Sequence, residues 1–392
     1  MKKFIFCFVV LFIFSTTKNL QAQNYPTPNK TYRVAIFAPL YLDSAFNGYQ
    51  LRSEYAIPKF TIAGADFVQG AQIALDTINL NGQHVQAYIF DSKSFSEPVP
   101  SLIKNNKLDN IDLIIGSVKE PEYTQLAQFA LRKNIPFVSA TYPNDGNIRQ
   151  NPNLLIANST LKANCEGIFS YIMQKHGTDN IYLVKKKNDN RIDNYFREIN
   201  YADGKPLLKI KTIMLDSSIS STGLKYLIDT TKPVVIIGAS LDENFSKKLA
   251  DACYPISKTN KIIFIGMPNW DGFSSWYKKD AYPDFPIRYT SPHYDVKNNL
   301  FSNYLENKYF DLYRTKPSDM AEKGFEVTYC FTSILINHPA AFIQNVNDTL
   351  YAPFHDFNFR AVRNTKYSPV DYYENKHLFI MQIINGQISR EW

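Results

Sequence analysis

The sequence predicts an α/β protein made of two units in series. Short apolar runs that read as buried strands alternate with amphipathic helical stretches from Tyr32 onward. That alternation breaks at a turn-rich segment, 143–153, and then restarts. A length of 392 residues suits two or three domains at about 150 residues each. The 45% hydrophobic content excludes wholesale disorder.

Met1-Lys2-Lys3, the eleven-residue apolar run Phe4–Phe14 and the small residue Ala22 follow the plan of a secretory signal peptide over 1–22. The apolar run is too short for a spanning helix, which needs about 20 residues. No Cys follows Ala22, which argues against a lipid anchor. Cleavage would remove three lysines and no acids from a net charge of +7, leaving +4. That is weak for a nucleic-acid binder. Residues 23–30 form an N-terminal extension.

The first unit reads strand, helix, strand, helix, strand, helix, strand, with residues assigned to two of the helices. Its strands are Tyr32–Ala38, Val85–Phe90, Ile111–Ile115 and Ile135–Ala140. Phe67, Ala71, Ala74, Leu75 and Ile78 mark one helix, with Asp66 as its expected cap. Tyr123, Leu126, Ala127, Ala130 and Leu131 mark the other. Such an order implies parallel pairing with right-handed crossovers. The second unit repeats the scheme, with helices near 160–175, 191–200 and 241–254. Its strands lie at 181–184, 207–214, 233–238 and 262–266. Beyond 285 come two long helices, 296–313 and 317–336, and two strands, 354–362 and 377–384.

No catalytic motif is present. There is no G-x-S-x-G, H-E-x-x-H, Walker A loop or G-x-G-x-x-G. The six histidines show no ligand spacing, and no C-x-x-C exists. Cys165, Cys253 and Cys330 each fall on an apolar helical stripe and read as buried thiols, whereas Cys7 leaves with the signal peptide. The expectation is a protein with no catalytic residues, no metal and no cofactor.

Ligands of open α/β sheets bind beyond the carboxyl ends of the strands. Here those ends are polar or small, and they define the candidate site. In the first unit they supply Tyr41, Asp91, Ser117, Ala140, Thr141 and Tyr142. In the second they supply Lys187, Ser240, Asn269 and Trp270. Lys119 and Lys187 stand near the mouth, where they favour an anionic group. Hydroxyls, helix starts and aromatics converging on one crevice suit a small polar ligand.

Four stretches also carry a family resemblance: Phe67–Asn79, Asp112–Ser117, Ile135–Ser139 and Gly324–Phe331. Together they resemble the type 1 periplasmic-binding superfamily of leucine/isoleucine/valine-binding proteins and receptor ligand-binding regions. Ala38-Pro-Leu-Tyr-Leu-Asp43 resembles a bacterial cell-envelope branch, some of whose members carry LysM modules. The resemblance spans about 31–390. It implies two lobes joined by three crossings, with lobe one at 31–155 plus 289–337 and lobe two at 156–288 plus 338–392. It further implies that Ser117, Ala140 and Thr141 grip a ligand carboxylate. Asn269 stands where an acid usually holds the ligand ammonium.

The resemblance leaves two readings open. One is a periplasmic solute-binding protein that presents a small polar ligand, such as an amino acid or related compound, to an ABC-type transporter or a sensor. The alternative is a cell-envelope scaffold, associated with the cell wall, that keeps the fold without a small ligand. Neither involves nucleic acid.

Overall fold

The computed structural model describes residues 30–392 apart from 54, 55, 81, 83, 217, 295, 296 and 298. The expected signal peptide, the extension up to residue 29 and Cys7 lie outside the described residues.

Two seven-stranded sheets form the frame. Strands β1 (Tyr32–Ala38), β4 (Val85–Asp91), β5 (Leu113–Gly116), β6 (Phe137–Ser139) and β7 (Leu154–Ile156) pair in parallel, with hairpin strands β2 (Phe46–Asn47) and β3 (Gln50–Leu51) outside them. The second sheet holds β8 (Asn180–Lys186), β11 (Ile210–Leu215), β12 (Val234–Gly238), β13 (Ile262–Ile265) and β14 (Ile287–Ser291), again parallel. A small hairpin, β9 (Tyr201–Ala202) and β10 (Lys205–Pro206), stands apart.

The C-terminal strands divide between the sheets. β15 (Phe359–Val362) and β16 (Tyr372–Asn375) extend the first sheet, with β16 parallel to β7. β17 (Phe379–Ile384), antiparallel to β14, and β18 (Gln387–Arg390), antiparallel to β17, close the second. The sheet orders are β15-β16-β7-β6-β5-β1-β4 and β11-β8-β12-β13-β14-β17-β18. The chain therefore passes between the sheets three times: after β7, after β14 and after β16.

This corrects the assignment of all of 338–392 to the second lobe. Residues up to Asn375 belong with the first sheet, because Phe342, Val346, Phe357 and Phe359 pack into its core with Phe331. Only β17 and β18 cross over.

Helices cover both faces of the first sheet. One face packs Phe67 and Ala71 with Val327, Phe331 and Ile334. The other packs Leu102, Tyr123, Leu126 and Ala130. The helix expected to start after Asp66 begins seven residues earlier, at Lys59, just past Pro58. Asp66 instead accepts a hydrogen bond from Ser318 Oγ at 2.6 Å, and Ser318 caps the Asp319–Asn337 helix. Pro317 lies just outside that cap rather than in the first turn.

The helices Lys59–Leu80 and Asp319–Asn337 touch without side chains between them. A Cβ on Gly70 would lie 1.9 Å from the Ala321 carbonyl oxygen, and one on Gly324 would lie 2.0 Å from the Phe67 oxygen. The clash is with backbone, so no rotamer change relieves it. Gly324→Ala is expected to lower the unfolding free energy by about 1–3 kcal/mol, as overpacked cores do. Chemical denaturation checks this, and a variant as stable as the wild type would show that the helices can part at no cost.

Candidate functional site

The first and third crossings are stitched together. Ser159 Oγ donates to the Asn375 carbonyl at 2.6 Å, and Asn375 Nδ2 donates to the Ala157 carbonyl at 3.3 Å. Thr160 N–H donates to Glu374 Oε1 at 2.8 Å. Lys376 Nζ lies 2.8 Å from Glu166 Oε2 and 2.6 Å from Glu374 Oε2. Burial alone would lower the Lys376 pKa, but the two carboxylates outweigh it and raise it. The first and third crossings thus share one charged, hydrogen-bonded knot.

A cavity of about 710 Å³ opens beside this knot. It is lined from both units: Asp145 and Tyr372 from the first, Glu166, Arg191, Asn269 and Thr290 from the second, and His293 from the second crossing. The volume falls within the range of small-molecule sites, about 300–1,000 Å³. Cations and anions both face it, including Arg191, Lys323 and Lys376 against Asp145, Glu166 and Asp271. Burial holds the Asp271 carboxyl above its ordinary range.

Four lining residues carry buried polar atoms without a hydrogen-bond partner among the described residues: Asn164 Oδ1, Asn269 Oδ1, Thr290 Oγ1 and His293 Nε2. An unmade hydrogen bond on a buried group costs about 1–3 kcal/mol.

The sequence-derived candidates fare unevenly. Asn269 lines the cavity and donates from Nδ2 to the Leu241 carbonyl at 2.9 Å. Thr141 stands one step away. Its carbonyl accepts from Asn158 Nδ2 at 2.7 Å, Asn158 lines the cavity, and its hydroxyl meets Ser117 Oγ at 3.1 Å. Ala140 is fully buried beside them. Tyr142 packs edge-on against Tyr123.

Other candidates have structural jobs. Asp91 accepts the backbone N–H groups of Leu40, Tyr41, Leu42 and Lys93, so its carboxylate is spent on shaping the loop after β1. Tyr41 takes a left-handed φ of 53° in that loop and packs on Phe60. Ser240 is buried; its carbonyl accepts from Trp270 Nε1 at 3.0 Å. Lys119 is exposed, and exposed Lys187 lies 3.5 Å from Asp216.

Trp270 is a correction. It is fully buried in the core of the second unit, among Phe264, Phe273 and Trp276, and does not line the cavity. The glycines at two strand ends make room for it. A Cβ on Gly266 would lie 2.0 Å from the indole, and one on Gly238 would lie 2.5 Å away. Small strand ends that read as ligand-facing are here indole-facing.

Sequence reasoning missed the crossings' own polar residues: Asn158–Asn164, Thr290–His293 and Glu374–Lys376. They come from three distant segments with no shared spacing, so only the fold unites them. It also missed a buried cluster of His293, Glu326 and His355. Burial pushes His293 down to about 4. Burial would raise Glu326, but the charge of His355 and the hydrogen bond from His293 outweigh it and hold the carboxyl at about 2. The three cysteines are buried and free, as the helical stripes predicted.

This architecture is the type 1 periplasmic-binding fold: two parallel-dominated α/β lobes, three crossings, and a polar cavity between the lobes at the crossings. Solved structures of similar fold bear this out. A Rhodospirillum rubrum protein assigned to branched-chain amino acid ABC transport matches with a TM-score of 0.63 at 11% identity, over 92% of this chain and 100% of that one. A branched-chain amino acid ABC transporter periplasmic ligand-binding protein from Burkholderia xenovorans matches at 0.58 and 10% identity, over 93% and 95%. An ABC transporter substrate-binding protein from Desulfitobacterium hafniense, solved with Leu, matches at 0.56 and 11% identity, over 92% and 100%. No protein-family model and no curated protein sequence matches the chain.

Trp270→Ala is expected to cost about 3–5 kcal/mol of stability, the usual range for removing a buried Trp. Unfolding by urea checks it. A loss below 1 kcal/mol, roughly the scale of a surface change, would contradict a core role and return Trp270 to the ligand site.

Proposed function

We propose that this protein is a secreted, periplasmic solute-binding protein. It captures a small polar ligand between its lobes and presents the closed form to an ABC-type transporter or a sensor, without catalysis. The polar cavity lined from both lobes carries this reading: charges of both signs line it, and its lining residues Asn164, Asn269, Thr290 and His293 each keep a polar atom unpartnered among the described residues. Facing charges of both signs suit a zwitterion, such as an amino acid or a related compound. Thr141 and Ser117 form the lobe-one edge of the same site, with hydroxyls suited to a ligand carboxylate. The apolar run at 4–14 and Ala22 support export. The solved structures of like fold include transport proteins, one of them holding Leu, and this supports the ligand class by analogy of fold.

Hinged closure follows from the three crossings. A ligand that binds only the closed form adds stability, about 2.7 kcal/mol at 100 times its dissociation constant. Thermal unfolding of the purified protein against amino acids, short peptides, sugars, nucleosides and cell-wall fragments tests the reading. A shift of several degrees with one amino-acid-like class is expected. A flat response across the library would favour the scaffold alternative.

Thr290→Val separates site from structure. Removing an unpaired buried hydroxyl should leave the free protein as stable as before, or more so, while the ligand loses one hydrogen bond and about tenfold in affinity. A variant that is destabilised without ligand, with unchanged affinity, would take Thr290 out of the site.

A further inference from the structure

His293, Glu326 and His355 come from the second crossing, the middle of the Asp319–Asn337 helix, and the stretch before β15. One donor atom of each lies within 4.8 Å of the others. Glu326 Oε2 lies 3.1 Å from His293 Nδ1, and Glu326 Oε1 lies 2.7 Å from His355 Nδ1. Glu326 is 2% exposed and His355 8%.

The hydrogen bonding of this cluster is incomplete. Glu326 Oε1, His293 Nε2 and both ring nitrogens of His355 have no aligned hydrogen-bond partner among the described residues. The 2.7 Å approach of His355 Nδ1 to Glu326 Oε1 is an ion pair, so the Glu326 carboxylate sits between the two imidazoles. Three ligands of one Zn²⁺ at about 2.0–2.1 Å stand roughly 3.3 Å apart, a little more than the 2.7 Å and 3.1 Å contacts and inside the 4.8 Å spread of the donor atoms. Two imidazoles and a carboxylate are also a donor set that Zn²⁺ and its first-row neighbours take.

We propose that His293, Glu326 and His355 form a mononuclear site for a divalent transition ion of the Zn²⁺ class. His293 also lines the cavity, so the position left open by three protein ligands is reached from the ligand chamber. The ion would pin the second crossing to the helix of lobe one, and its occupancy would set how freely the lobes close.

The test is calorimetric titration of the chelator-treated, purified protein with Zn²⁺, paired with Co²⁺ absorption in the visible. One equivalent should bind, with Co²⁺ bands of nitrogen and oxygen ligation. His355→Ala should weaken binding by more than about 100-fold, a loss at least as large as those seen on removing outer-shell partners. Because His355 is buried, circular dichroism checks its fold. Should that variant unfold, His293→Ala, which stands at the cavity edge, is titrated in its place. Three results would each overturn the site: no stoichiometric Zn²⁺ on the wild type, undiminished binding in a folded variant, or a Co²⁺–thiolate band that places the ion on a cysteine.

Discussion

The architecture depends on a bare backbone contact between two helices that are some 250 positions apart in the chain. Gly70 and Gly324 lie where each helix meets the other's carbonyl, at Ala321 and Phe67. That approach brings the late helix into the first sheet's core, where Val327, Phe331 and Ile334 pack against Phe67 and Ala71. A side-chain bond from its cap, Ser318 to Asp66, fixes the register, and Tyr309 of the preceding helix bonds Gln69. Once the late helix belongs to lobe one, the chain must leave that lobe and return. Discontinuous lobes and three crossings then follow as topological consequences.

The crossings carry polar chemistry because they run between two closed cores. Their backbone groups find partners in one another, through Ser159, Asn375 and Glu374, rather than in a sheet. Lys376 holds two carboxylates that would otherwise repel. A knot of this kind holds the first and third crossings together at one point. The cavity beside it inherits the same polarity. A binding protein needs this combination of a rigid axis, movable walls and polar groups with partners still to be made.

Much of the fold was legible in the sequence. Every parallel strand from β1 to β6 lay on an apolar run, because strands covered on both faces read as continuous hydrophobic stretches. Strand β16 and edge strand β18 carry mixed patterns, Tyr-Tyr-Glu-Asn and Gln-Ile-Ser-Arg, and gave no such signal. The return of β15 and β16 to lobe one was hidden for the same reason. The candidate site was less legible. Strand-end glycines have two uses, ligand approach and room for a large neighbour, and Trp270 occupies the second. Asp91 showed its charge in the sequence but not the four backbone amides it serves. Residues 33 and 29 apart, as in the His293, Glu326 and His355 cluster, share no motif at all.

The most direct test of a ligand chamber between the lobes is equilibrium dialysis of the folded, purified protein against the small-molecule fraction of a cell extract. Mass spectrometry of both sides then finds what the protein retains. One polar compound concentrated to about one per chain, and released when the protein is unfolded, is the predicted result. A folded protein that concentrates nothing would contradict the account.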